Sequence, residues 1–207
     1  MSYVKVCGLN NRANADKIAA SDANYLGFIF YDKSSRAVSK GDLTPADLRK
    51  FDQRKVGVFV NESLSRISMI VEEFDLNYVQ LHGDETPQFC WELKSLGLGI
   101  IKAIRVGDNL TSNDLEKYEH VIDLYLFDTS GSGYGGTGLK FNWDLLDQAN
   151  ISLPFFLSGG IGPNDIEALK NVVHPKLYGY DINSRFEISP GIKDDLLVRN
   201  FINEIKK

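Results

Sequence analysis

Residues 121–138 carry the sequence VIDLYLFDTSGSGYGGTG, and the rest of the chain is best understood around them. The apolar run at 121–127 predicts a buried strand, which delivers the carboxylate of Asp128 into a loop with five glycines. Glycine backbone reaches positive φ and approaches a ligand closely, so such a loop can surround an anion with its amides. The stretch indicates an acid-base group beside an anion-binding loop. A solvated linker in which Asp128 merely caps a turn is the alternative, and the spacing fits neither a Walker A loop nor GxGxxG.

Short apolar runs alternate with helical patterns along the whole chain. Helical spacing at i, i+3, i+4 and i+7 appears in Ile67, Ile70, Val71 and Phe74 and again near the end of the chain, and Asn61, Ser63, Thr44-Pro45 and Thr86-Pro87 provide helix starts. Eight strands are predicted between the helices: Tyr3 to Cys7, Tyr25 to Phe30, Lys55 to Val60, Tyr78 to Leu81, Ile100 to Ile104, Val121 to Phe127, Pro154 to Leu157 and Leu177 to Ile182.

Eight consecutive strand–helix units predict an α/β fold of the single-domain (β/α)8 TIM barrel type, with one catalytic domain over residues 1–207. An open, doubly wound sheet is the alternative. In the barrel, residues at the carboxyl ends of the strands and in the loops that follow build the active site. The side chains at each predicted strand end are therefore the candidates for function.

Composition limits the classes of function. The chain has 207 residues, of which 43% are hydrophobic and 25% charged, and its net charge is −5. This acidic balance, without a Lys/Arg cluster, argues against nucleic acid or an anionic membrane as partner. Two cysteines, Cys7 and Cys90, are too few for a disulfide framework and fit a cytoplasmic location. We expect neither a leader nor a membrane span, and three histidines make a poor metal set, so no metal site is predicted.

Several strand ends carry side chains able to do chemistry. The first ends at Cys7, which is either a base or nucleophile or simply a small buried side chain. The loop after the second strand holds Arg36, which can fork onto a carboxylate or remain an ordinary exposed arginine. Gln80 and His82 flank the end of the fourth strand, where they can line a pocket or satisfy a turn. Cys90 lies in a helical stretch and is predicted to pack rather than react.

Three glycine-rich or polar segments point to one phosphate. The first is the loop with Gly135 and Gly136, and the second is Gly159-Gly160 after the seventh strand. The third is Asn183-Ser184 after the eighth strand. Barrels of this class commonly bind phosphate after strands seven and eight, so the convergence predicts a phosphate-binding site.

Taken together, these segments resemble the phosphoribosylanthranilate isomerase family, in the family's order and over nearly the whole chain. The matching blocks are Val4-Lys5-Val6-Cys7-Gly8-Leu9, Gly27-Phe28-Ile29-Phe30-Tyr31 with Lys33-Ser34 and Arg36, Val58-Phe59-Val60-Asn61, Gln80-Leu81-His82-Gly83-Asp84, Phe127-Asp128 through Gly135-Gly136-Thr137-Gly138, Ser158-Gly159-Gly160-Ile161, and Asp181-Ile182-Asn183-Ser184 with Glu187 and Pro190-Gly191-Ile192-Lys193-Asp194.

The resemblance implies an Amadori rearrangement in tryptophan biosynthesis, the isomerisation of N-(5-phosphoribosyl)anthranilate, without metal or organic cofactor. It implies that Asp128 is the general acid and Cys7 the general base, which must act as a thiolate favoured by nearby cations. Arg36 would hold the anthranilate carboxylate, and Asp181 would lie near the sugar hydroxyls. The resemblance leaves monomer and homodimer equally open.

The chain departs from the family pattern in two places. Ser132-Gly133-Tyr134 lengthens the glycine loop, and Asp32 and Ser35 stand where prolines are frequent. Alternatives within the enzymes are indole-glycerol-phosphate synthase, which would need a catalytic Lys and Glu at strand ends, and ribulose-phosphate epimerase, which would need metal ligands. A non-catalytic phosphosugar sensor is the alternative from another class, but it has no reason to keep both Cys7 and Asp128.

Overall fold

The computed structural model describes residues 2–129 and 140–207, and in them eight parallel strands close into a barrel. The strands are β1 (Tyr3–Val6), β2 (Tyr25–Ile29), β3 (Arg54–Phe59), β4 (Tyr78–Leu81), β5 (Gly99–Val106), β6 (Leu124–Thr129), β7 (Phe155–Leu157) and β8 (Leu177–Ile182). Each pairs with the next, and β8 closes the barrel on β1 with Asp181 opposite Lys5. The (β/α)8 prediction is confirmed, and the open sheet was the wrong alternative.

Helices cover the outside of the barrel. They are α1 (Arg12–Ala19), α2 (Pro45–Leu48), α3 (Leu64–Phe74), α4 (Pro87–Lys94), α5 (Ser112–Glu116), α6 (Ile166–Lys170) and α7 (Asp195–Ile205). The predicted starts at Thr44, Ser63 and Thr86 are confirmed, because each side chain accepts a hydrogen bond from a backbone N–H in the first turn. The start predicted at Asn61 was wrong, because its side chain accepts from the Asp84 N–H instead. The spaced apolar residues of α3 and α7 turn toward the core, as their period requires.

Two connections differ from the prediction of a strand–helix unit at every position. Between β6 and β7, residues 140–154 contain a short 3-10 helix, Trp143–Asp147, in place of an α-helix. That turn already buries Leu145 and Leu146 against the barrel. After β8, a 3-10 turn (Ser184–Phe186) leads into a hairpin of β9 (Glu187–Ser189) and β10 (Ile192–Lys193) that the sequence analysis missed.

Inside the barrel an apolar cluster is flanked by polar groups, both at the floor and toward the mouth. Tyr25, Val56, Ile101, Leu124, Leu126 and Phe156 belong to one buried cluster inside it. At the floor the hydroxyls of Tyr25 and Tyr178 lie 2.7 Å apart and both accept from Arg54. Above this layer the inward side chains become polar, which leaves the carboxyl ends of the strands free to form a site.

A search of the helices in residues 2–129 and 140–207 found none whose length and apolar character would let it cross a membrane.

Candidate active site

A pocket opens at the carboxyl ends of the strands, with a volume of about 280 Å³. All predicted site residues that fall within the described ranges line it: Cys7, Arg36, Gln80, His82, Asp128, Gly159, Gly160, Asp181, Asn183 and Ser184. Gly135 and Gly136, together with the extended Ser132-Gly133-Tyr134 segment, lie outside the described residues. The barrel thus brings together side chains from strands that are far apart in the sequence.

Cys7 follows β1 directly and is almost completely buried at the wall of the pocket. Its backbone N–H donates to Ile182 O at 2.9 Å, which extends the pairing between β1 and β8 by one residue. The neighbouring strand offers Gly27, where an added Cβ would lie only 2.8 Å from Cys7 Sγ. The lack of a side chain at position 27 therefore creates the space that the thiol occupies.

Charged groups surround the thiol. Lys5 lies two residues earlier on the same face of β1, Asp181 is on β8, and Lys193 is on β10. Burial raises the pKa of Cys7 above its ordinary value, while the charges of Lys5 and Lys193 act to lower it. The cations expected near Cys7 are present, but burial outweighs them. The thiol is therefore the resting form in this pocket.

Asp128 lies near the end of β6, where a chain of hydrogen bonds fixes its position. Its Oδ1 accepts from the Thr129 N–H at 2.9 Å, and its Oδ2 lies 3.1 Å from His82 Nε2. Gln80 Nε2 lies 2.9 Å from His82 Nδ1. The ring of His82 therefore lies between the side chains of Gln80 and Asp128, in hydrogen-bond contact with both. The structure therefore connects Gln80, His82 and Asp128 in one line.

Arg36 projects from the loop after β2 and forms a two-pronged ion pair with Glu187 of the β9 hairpin. Its Nε donates to Glu187 Oε1 at 2.9 Å and its Nη2 donates to Oε2 at 2.7 Å. Lys193 Nζ donates to the same carboxylate at 2.7 Å and to Asn183 Oδ1 at 2.6 Å. These cations hold the pKa of Glu187 below its ordinary value although burial acts to raise it. The missed hairpin thus fixes two predicted ligand-binding residues, Arg36 and Asn183.

The backbone that follows β7 and β8, at the mouth of the barrel, has a geometry suited to binding an anion. Gly159 and Gly160 have φ values of 86° and 67°, in the left-handed region that favours glycine. A Cβ at Gly159 would lie 2.3 Å from Thr129 Oγ1, so this position also needs glycine for close packing. The Asn183-Ser184 segment borders the same side of the pocket.

The opposite side of the pocket is apolar. Ile29 of β2, Val58 of β3 and Val60, just after β3, line it, close to the loop that carries Arg36. An aromatic ring with a carboxylate fits such a surface, because the ring is buried while the carboxylate reaches the guanidinium.

Four residues that shape the site stand in the matching blocks but were given no role from the sequence: Lys5, Ser158, Glu187 and Lys193. Lys5 and Ser158 both hydrogen-bond Asp181, at 2.8 Å to Oδ1 and 3.2 Å to Oδ2. A lysine at an inward position of a barrel strand, where apolar residues are usual, was the signal that would have revealed Lys5. Within the described ranges, no three histidine, cysteine or carboxylate side chains converge as a metal site requires.

Comparisons with known proteins agree with this arrangement. Residues 4–204 match the family model described as N-(5'phosphoribosyl)anthranilate (PRA) isomerase. The N-(5'-phosphoribosyl)anthranilate isomerase of Parabacteroides distasonis is 41% identical over 207 residues, covering 98% of this chain and 92% of that protein.

Solved structures show the same likeness. The phosphoribosyl anthranilate isomerase of Thermotoga maritima is 33% identical, with a TM-score of 0.81 over 100% of this chain and 99% of that one. Another phosphoribosyl anthranilate isomerase, solved in complex with reduced 1-(o-carboxyphenylamino)-1-deoxyribulose 5-phosphate, is 31% identical, with a TM-score of 0.77 over 100% and 99% of the two chains. With the family model matched from strand β1 to helix α7, this chain belongs to the N-(5'-phosphoribosyl)anthranilate isomerase family.

Proposed function

We propose that this isomerase converts N-(5-phospho-D-ribosyl)anthranilate to 1-(2-carboxyphenylamino)-1-deoxy-D-ribulose 5-phosphate by general acid–base catalysis, with Asp128 as acid and Cys7 as base. The observation that carries the proposal is that both side chains line one pocket, which also holds Arg36 and the Gly159-Gly160 turn. This substrate needs an acid and a base that act on its ribose, a cation that binds its carboxylate and a backbone turn that binds its phosphate.

Asp128 would act first. It gives its proton to the ring oxygen of the ribose, the bond between that oxygen and C1 breaks, and the nitrogen lone pair forms the Schiff base. His82 supports this role, because its contact with Asp128 Oδ2 fixes the position of the carboxyl group.

Cys7 would act second. Its sulfur takes the C2 proton, the electrons of the C–H bond form the C1–C2 double bond, and the Schiff base becomes a neutral enolamine. The enolamine then tautomerises to the ketose. Since the thiol is the resting form, Cys7 has to lose its proton to water before this step.

The remaining pocket residues would bind the substrate. Arg36, fixed by Glu187, would hold the anthranilate carboxylate beside the apolar surface of Ile29 and Val58. Asp181, Gln80 and His82 would contact the sugar. The phosphate would bind at Gly159, Gly160, Asn183 and Ser184, together with Gly135 and Gly136.

We also propose that the enzyme works in the cytoplasm as a monomer or homodimer and has no nucleic acid partner. Its net charge of −5 supports the latter, and its two free thiols support a reducing compartment.

The test is turnover of phosphoribosylanthranilate generated in situ and followed by anthranilate fluorescence. Cys7→Ala and Asp128→Ala should each lower kcat by orders of magnitude while the fold is kept. Matched controls are Cys90→Ala, at a buried cysteine outside the pocket, and Asp108→Ala, at an exposed aspartate. Failure of the intact protein to turn the substrate over would overturn the proposal, and an active Cys7→Ala variant would overturn the assignment of the base.

A further inference from the structure

Lys5 is a fully buried lysine inside the barrel for which the acid–base steps above have no use. It lies two residues before Cys7 on β1, so both side chains point to the interior. Its Nζ lies 2.8 Å from Asp181 Oδ1, and Asp181 is its register partner on β8. The charge of the same ammonium acts to lower the pKa of Cys7. A buried cation is costly and needs compensation.

The charges around Cys7 do not balance while Cys7 is a neutral thiol. The network holds three cations, Lys5, Lys193 and Arg36, against two carboxylates, Asp181 and Glu187. The sum is one positive charge in a largely buried cluster. Ionisation of Cys7 would bring the sum to zero.

We propose that Lys5 is a positioning residue that stabilises the thiolate form of Cys7, the form that accepts the C2 proton. This inference rests on the role proposed above for Cys7. The thiol first releases its proton to water, and the ammonium then lies beside the negative sulfur. When the C2 proton arrives, the sulfur returns to the neutral thiol and Lys5 keeps its own proton throughout.

The titration of both groups agrees with this role. Burial alone would lower the pKa of Lys5, but the charges of Asp181 and Cys7 raise it above its ordinary value, so Lys5 remains a cation. For Cys7, burial is the larger effect and raises the pKa, and the charge of Lys5 is the first effect that opposes it. Without Lys5, burial and Asp181 would act on the sulfur with only Lys193 against them.

The groups that face Cys7 come from several elements. Lys5 is on β1, Asp181 on β8 and Lys193 on β10, whereas β2 presents the uncharged Gly27. The other ionisable side chains of the pocket are Tyr31, Lys33, Arg36, His82 and Asp128. Lys193 is itself perturbed, because burial lowers its pKa to about 8 against the effect of Glu187. Of the two lysines that act on Cys7, Lys5 is therefore the one whose pKa is raised and whose charge persists to higher pH.

The experiment measures the rate of alkylation of Cys7 by iodoacetamide against pH, with the modified residue identified by mass spectrometry. In Lys5→Met the midpoint of the profile should move about 1–3 pH units higher, as expected for loss of an opposite charge at short range. The matched control is Lys55→Met, which removes another buried lysine that contacts a carboxylate at 2.8 Å, Asp75, outside the pocket. An unshifted profile in Lys5→Met, or an equal shift in Lys55→Met, would overturn the proposal.

A second variant guards against misfolding, because Lys5→Met leaves Asp181 without its ammonium. Lys5→Met/Asp181→Asn removes both charges and serves for the alkylation measurement only. The midpoint of its alkylation profile should still lie at a higher pH than that of the intact protein, because Lys5 affects Cys7 more strongly than Asp181 does. The increase should be smaller than in Lys5→Met alone. A profile equal to that of the intact protein would overturn the proposal.

Steady-state kinetics separate this proposal from the proposed function. In Lys5→Met, kcat should fall at neutral pH and recover as the pH rises, with KM changed by no more than about twofold. A uniform loss at every pH would overturn the role of Lys5 and leave Cys7 as base. Full turnover by Cys7→Ala would overturn the base itself, and the present proposal with it.

Discussion

Replacing Lys102 by methionine tests how the loop after β4, which carries His82, is held in place. Lys102 lies on β5 and its ammonium is buried. Nζ donates to Gly83 O at 2.7 Å, to Leu81 O at 3.3 Å and to Glu85 Oε2 at 2.9 Å. His82 lies between two of these acceptors in the chain. The lysine therefore holds both sides of the residue that contacts Asp128.

Glu85 ties the same loop from the other side. Its carboxylate accepts from Gly83 N at 3.0 Å and from Asn61 N at 2.9 Å. Both side chains of the Lys102–Glu85 pair are 3% exposed. Removal of one partner from such a buried pair costs about 3–5 kcal/mol, because the other charge remains in the interior. At roughly 2–4 °C per kcal/mol for a chain of this size, we expect Tm to fall by roughly 6–20 °C.

The effect on catalysis should exceed the effect on binding. A loosened His82 leaves Asp128 less well oriented, and a shift of about 1 Å at a catalytic group can lower kcat by roughly 100-fold. Kinetics are measured well below the reduced Tm, and stability by urea unfolding. Lys55→Met is the stability control, since Asp75, its partner, is 62% exposed and a pair with an exposed partner contributes about 1 kcal/mol or less.

A double variant decides whether the mechanism is right. Lys102→Met/Glu85→Gln removes both charges, so it should be more stable than the sum of the two single losses predicts, by about 1 kcal/mol or more. Additive losses, or a Lys102→Met variant within about 1 kcal/mol of the intact protein, would refute the reasoning.

Two further outcomes follow from the geometry beside Cys7. In Gly27→Ala the new Cβ would lie 2.8 Å from Cys7 Sγ and 3.0 Å from Cys7 Cα. We therefore expect the free energy of unfolding to fall by about 1–3 kcal/mol and kcat to drop with little change in KM. An unchanged kcat would contradict this. Burial lowers the pKa of Lys193 to about 8 in the folded protein, against an ordinary value of 10.5. Between these two pH values the unfolded chain binds the proton that the folded chain has lost. The free energy of unfolding should therefore rise with pH there, by up to about 3 kcal/mol. Urea unfolding of the intact protein and of Lys193→Met across that window tests this, and parallel curves would contradict it.

The barrel could be predicted from the sequence because each strand is a short apolar run with clear boundaries. The helical spacing of apolar residues and the residues that begin helices were enough to place α3, α4 and α7. The turn between β6 and β7 was not predictable in the same way, since its buried Leu145 and Leu146 also suit an α-helix. The hairpin after β8 was missed because β10 has only two residues. Its one local signal is Gly191, with φ of 88°, after Pro190.

The site was predictable as a set of positions and unpredictable as a set of contacts. A barrel brings Cys7 and Asp128 to one mouth whatever their neighbours are, so strand ends identify them. The pairing of Lys5 with Asp181 depends on the register between strands 176 residues apart, and that of Arg36 with Glu187 spans 151 residues. No local sequence pattern encodes either of these two pairings.

The two halves of the pocket differ in charge in a way that suits the two opposite tasks proposed for Cys7 and Asp128. A base has to lose its proton before it acts, and Cys7 lies among lysines whose positive charges favour that loss. Asp128, the proposed acid, has a different neighbour, the imidazole of His82, whose Nε2 lies 3.1 Å from its Oδ2. Moving a lysine next to Asp128 would favour its ionised form, and replacing Lys5 by an imidazole would put a less persistent charge beside the sulfur. In the proposed mechanism the lysine charges therefore lie on the β1–β8 side, beside the base, and the acid lies on the β4–β6 side with His82.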